Sequence, residues 1–320
     1  MPADAPSTTD NSQEGDNLRQ HDAGSCLRSG HRLVRYAVAL ASVGWWWQLA
    51  FLGESPLFEW WQAPVSLGGW GMPESTAYTL SHAVGWTTLV AGLVVAVRPS
   101  FWVAMVAAAV PCLTALAVWR MGEGFPVEAA WLPLSSRKLF PFLTHAARAV
   151  APLAAVALAG RPNGSLRFSA GRVAMLLRVA LATTFAAHGI EAWQQNPEFI
   201  DLLIGSASLV SDEPLNQSAA EQTLAVVAMV DWLAAAACLL MPSTRAGGVP
   251  KALPTTLLWM ALWGGVTAAS RVTAWGWYWG WFQMLIRAPH ALLPIATIYF
   301  NRSTALAQRQ VPPDANLESI

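Results

Sequence analysis

Charged residues are missing from this chain in long blocks; they are not evenly thinned. That pattern constrains the fold more than any motif. A charged side chain costs roughly 2.5–3.5 kcal/mol at the centre of a membrane-inserted helix. The 320 residues are 54% hydrophobic and 12% charged, against about 25% charged in an ordinary soluble domain. A bilayer-crossing helix needs about 20 mostly apolar residues. Eight stretches answer to that: 32–52, 77–97, 101–119, 139–160, 172–193, 222–241, 253–270 and 281–300. The predicted fold is an all-α membrane protein with about eight transmembrane helices.

Residues 1–30 are polar and rich in Ser, Asp, Gln, Gly and Asn, a composition that predicts a disordered tail. The first apolar stretch begins too far in for a cleaved signal peptide, so it is expected to stay as a span. The motif "RPS" at 98–100 predicts a tight hairpin between the second and third stretches. The outer loops 53–76 and 194–221 carry acids and neither Lys nor Arg, while most basic residues fall in the alternate segments. By the positive-inside rule both termini, including 302–320, are cytoplasmic and the location is the cell membrane. The formal net charge of zero argues against a nucleic-acid partner; the bilayer itself is the expected one.

The stretch "RVTAWGWYWGWFQMLIRAPH" (271–290) sets Trp275, Trp277, Trp279 and Trp281 at alternate positions. That spacing does not keep to one face of a helix. It predicts a short extended or re-entrant segment at the headgroup level, where indole is at home, serving as an aromatic anchor or as a lid over a flat ligand.

The two halves resemble each other. "RYAVALA" from Arg35 and "RVALATT" from Arg178 open comparable spans, and Pro99 and Pro242 end the next ones at the same offset. Arg120 and Arg271 end the third spans, shifted by the longer connection 242–252. "THAARAVAPL" and "IRAPHALLPI" then align Pro152 with Pro294. The expected organisation is two parallel four-helix repeats, 31–160 and 172–301.

Under that alignment His145 and Arg148 match Arg287 and His290. Residues three apart share a helix face, so each fourth span presents one His and one Arg. His188 and Glu191 are likewise three apart, and Asp231 lies near the middle of the sixth span. Ionisable groups inside a membrane usually face a bundle interior and mark function or internal pairing. His145, Arg148, Arg287, His290, His188 and Glu191 are therefore the candidate ligand-binding residues, with Arg148 and Arg287 flanking one site shared between the halves. Imidazole beside guanidinium suits an anionic or quinone-like carbonyl ligand. Haem on two His ranks lower, because the spacing is not that of metal ligands. Cys26, Cys112 and Cys238 are scattered, without C-x-x-C, so neither a thiol-redox mechanism nor a metal site is expected.

"LLRVALATTFAAHGIEAW" (176–193) resembles the first span of the DoxX-like membrane family. The resemblance covers 172–301 best and 31–160 more weakly; Trp45–Trp47 stand where the second half has its His-Gly. It implies a tandem of four-span units, associated with quinone-linked oxidoreductases through a membrane redox partner or a second copy. The other class of reading is a non-enzymatic small-solute carrier or membrane assembly partner.

Overall fold

The computed structural model describes residues 10–122, 139–159, 168–209, 211, 213, 215–242 and 251–309. The expected positions of residues 1–9 and 310–320, of Trp131, Arg137 and Lys138, and of Arg161, Arg167 and Arg245 lie outside the described residues. Among the described residues every regular element is helical.

The chain opens with α1 (Asp10–Trp47), which passes through a π-helical turn at Gln48–Leu52 and stops at Gly53, a left-handed residue (φ 65). A short α2 (Pro56–Gln62) follows, started by the Ser55 hydroxyl accepting from Phe58 N–H at 3.1 Å and by Pro56 in its first turn. Next come α3 (Glu74–Val97) and α4 (Phe101–Met121), with the turn at 98–100 between them. The fourth stretch is divided into α5 (Phe140–Thr144) and α6 (Ala146–Ala157) at His145. The second half runs through α7 (Ala170–Trp193), α8 (Pro197–Ala207), α9 (Gln217–Leu240), α10 (Ala252–Ile286) and α11 (Ala288–Gln308).

Five stretches are long and apolar enough to cross a membrane: Glu74–Val97, Phe101–Met121, Ala170–Trp193, Gln217–Leu240 and the run Ala252–Gln308. Ala146–Ala157 is a shorter apolar helix. Their outward faces are large and apolar, with Val97, Trp102 and Leu240 about four-fifths exposed. Their inward faces are small. Gly44 lies against the backbone of Phe282 and Ile286, and Gly264 against that of His290, where any side chain would collide. Small residues that let backbones approach are how helices pack when lipid offers no hydrophobic drive.

Two helices organise the rest. α1 packs on α11, α3, α10 and α6, while α7 packs on α9, α11 and α6.

Two expectations are corrected. Residues 10–30 are not a separate tail: they continue α1. Gly30 sits on the ring of Phe300, and Ser303 donates to the Ala23 carbonyl at 3.0 Å. Docking on a neighbour stabilises a helix whose own sequence is polar. α11 runs on to Gln308 in the same way, so 302–308 are helical too. The Trp275–Trp281 stretch is not extended. It is helix on both sides of a break at Gly276 (φ 76, ψ 169), and Gly280 then packs on the backbone of Arg271 and Val272 as the chain folds back. The backbone break, and not an extended backbone, distributes the alternate indoles. Trp275, Trp277 and Trp279 are exposed, and Trp281 rests on Trp47 with ring centroids 5.0 Å apart.

Candidate functional site

The polar residues gather where the C-terminal end of α7 meets α8, α10 and α11. On α7, one helical turn aligns His188 with Glu191, and the imidazole Nδ1 lies 2.8 Å from the Glu191 carboxylate. The chain then turns, and Asn196 accepts from Glu198 N–H to start α8 with Pro197 in its first turn. This start lays α8 across the bundle and brings Glu198 to two guanidiniums. Arg271 donates to Glu198 at 3.3 Å, and Arg287 stands 3.8 Å from the same oxygen. Arg271 also donates to the Thr267 carbonyl at 2.6 Å. Arg287, at the start of α11, is held by Gln283 Oε1 at 2.6 Å. One turn further, His290 meets His188 edge to face, with centroids 5.7 Å apart.

These groups border a cavity of about 220 Å³ enclosed by α7, α8, α9, α10 and α11. Arg271, Arg287, His188 and His290 line one end. Asp231 of α9 and Trp263 of α10 line it as well, and Phe185, Phe199, Leu224 and Val227 are among its apolar walls. Asp231 accepts the Trp263 indole N–H. Buried polar atoms are nearly always hydrogen-bonded, yet Arg271 Nε, His290 Nε2 and Asp231 Oδ1 have no partner among the described residues. All three side chains belong to residues 4% exposed. The cavity is thus bordered by hydrogen-bonding groups left open.

Of the six residues nominated from sequence, His188, Arg287 and His290 line the cavity, and Glu191 orients His188 from behind. Arg148 is buried and donates to the Thr144 carbonyl at 3.2 Å. It lies within electrostatic reach of Arg271, Arg287, Glu191 and Glu198 but outside the lining. His145 is turned back onto Pro141 O at 2.9 Å and Thr144 Oγ1 at 3.1 Å. The cavity is therefore not shared between halves: its lining runs from Phe185 to His290. Trp45, which matches His188 in the sequence alignment, is buried in an aromatic cluster with Phe58, Trp60 and Trp61.

In the sequence alone Arg271 reads as the end of a third span, Glu198 as one acid of the loop 194–221, and Asp231 as a mid-span charge outside the six candidates. The pair Asn196-Pro197 is a helix-start signal that could have turned Glu198 from a loop acid into a residue with a fixed direction. Arg271 carried no such signal, because its place depends on the break at Gly276.

Three guanidiniums (Arg148, Arg271, Arg287) meet two carboxylates (Glu191, Glu198) here, so the cluster favours an acceptor-bearing ligand. Among the described residues no group of three or more His, Cys, Asp or Glu is placed to hold a metal ion. His188 and His290 touch ring to ring, which leaves no room for a macrocycle between them. Compared with protein-family models, with curated proteins and with solved structures, the chain matches none.

Proposed function

We propose that this chain is an eight-span integral membrane protein of the cell membrane, both termini cytoplasmic, that binds a small oxyanion- or carbonyl-bearing ligand in the outer half of its second repeat. The carrying observation is the cavity of about 220 Å³ with Arg271 Nε and His290 Nε2 left without a hydrogen-bond partner among the described residues. Small-molecule sites usually measure roughly 300–1,000 Å³. The space suits a ring or a headgroup, and excludes a whole lipid. α8 forms its cover.

Two parallel four-helix repeats are supported by matched details. Arg35 donates to the carbonyls of Ala96 and Val97 at the end of α3. Arg178 donates to those of Cys238, Leu239 and Met241 at the end of α9. The fourth stretch breaks at His145 and the eighth at Arg287, the residues that the sequence aligns. The first span packs on the eighth as the fifth packs on the fourth.

The DoxX-like resemblance of 176–193 extends the proposal to a quinone-linked role beside a membrane redox partner; that part rests on sequence alone. A small-solute carrier is the second reading, favoured by Asp231 lining the same cavity as the basic residues. Purified protein should yield one lipid-soluble oxygenated compound on solvent extraction and mass spectrometry, and Arg271→Gln should lose it while still inserting. Wild-type protein that repeatedly yields only bulk lipid would remove the quinone-linked reading, and a matching failure to bind any small anion would remove the site.

A further inference from the structure

The cavity has two poles of opposite hydrogen-bonding character. At the outer pole the open atoms belong to Arg271 and His290, beside Arg287. A guanidinium only donates, so this pole needs an acceptor. At the deep pole the open atom is Asp231 Oδ1. The carboxyl already takes the Trp263 indole N–H, a partner without positive charge. Ionised, the open oxygen accepts; protonated, it can donate; a hydroxyl, which does both, matches either form. Leu224 and Asp231, both in the lining, stand two turns apart on α9, ~10 Å along the axis. Between the poles the walls include the rings of Phe185, Phe199 and Trp263, with His188 and His290 above them.

We infer that the ligand is a flat ring with an oxyanion or carbonyl at its outer end and a hydroxyl at the opposite end, a phenol-type molecule that donates to Asp231. The inference rests on the anion- or carbonyl-binding reading above and narrows it: for a quinone-linked protein, it selects the hydroxyl-bearing reduced form over the dicarbonyl. An unmatched oxygen on a dicarbonyl would face an ionised Asp231 Oδ1 acceptor to acceptor. The other group facing Asp231 is Trp263 on α10, while Arg271, Arg287, His188, His290 and Glu198 stand at the far pole.

The test is isothermal titration of the full chain in lipid nanodiscs with three soluble probes: benzoate, 4-hydroxybenzoate and 4-methoxybenzoate. A site built to bond a hydroxyl rejects analogues that lack it, and one added hydrogen bond corresponds to about tenfold in affinity. 4-Hydroxybenzoate should bind about tenfold or more tighter than benzoate, and 4-methoxybenzoate no tighter than benzoate. Asp231→Ala should erase the preference for 4-hydroxybenzoate over benzoate; Asp231→Asn, which keeps an acceptor oxygen, should retain most of it. If benzoate and 4-hydroxybenzoate bind equally to wild-type protein, the donor inference falls and the anion site stands. If none of the three binds, both fall.

Discussion

At the scale of single residues, the membrane turns Arg178 into a structural cap. Its side chain is 2% exposed and its guanidinium satisfies carbonyls at the end of α9, where no further helical N–H arrives. Arg178→Ala would leave those carbonyls and a void inside the bundle. The expected loss is about 2–4 kcal/mol, read as a lowered unfolding midpoint in detergent titration. Arg178→Lys should recover only part, because an ammonium lacks the guanidinium fork. Arg35→Ala should cost less, about 1 kcal/mol, since Arg35 is half-buried. The role of a basic residue opening each half was visible as a repeat marker in the sequence. Its partners were not, because they lie some 60 residues away in the chain and only the α7–α9 packing brings them near.

At the scale of elements, the break at Gly276 decides more than any helix does. Its backbone (φ 76, ψ 169) belongs to a region used almost only by glycine, and a Cβ added there would meet nothing within 4 Å. Gly276→Ala therefore isolates backbone strain from crowding. It should destabilise by about 1–3 kcal/mol and raise protease cutting between Trp275 and Trp279, measured by limited proteolysis of reconstituted protein. Gly280→Val acts through crowding, since its Cβ would lie 2.3 Å from the Arg271 carbonyl oxygen. Both should move Arg271 relative to Glu198 and weaken binding at the cavity. The alternate tryptophans signalled that something other than a plain helix occurs here. Periodicity could not say whether the chain extends or breaks and refolds, because two short helices across a kink scramble the same pattern.

At the scale of the whole molecule, the proposed halves share their fourth spans: α1 packs most extensively on α11 and also on α6, and α7 packs on both α11 and α6. A half expressed alone would lack its largest interface. Residues 1–160 and 168–320 should each be degraded rapidly when made singly and persist when made together, as pulse-chase half-lives will measure. Survival of either half alone at the half-life of the pair would argue against the shared packing. Reporter fusions at Gly164 and Ser208 should fall on opposite sides of the membrane; the same side would remove the eight-span topology.

The apolar blocks, the turn at 98–100 and the His188–Glu191 and Arg287–His290 pairings are local features, so sequence spacing sufficed to read them. A bilayer sets one length for every span, and one helical turn sets one spacing for every pair. The polar N-terminal helix, the cavity's confinement to the second half, and the meeting of Arg271 and Glu198 with Asp231 and His290 around one space are different in kind. They depend on contacts between segments far apart in the chain and on which positions carry bulk. Trp45, aligned with His188 in sequence, is buried among other aromatic rings, and no local pattern reveals which side chain will leave room. Whether a buried charge is a cap, as at Arg178, or an open ligand, as at Arg271, is decided only when the neighbouring helices arrive with or without a partner for it.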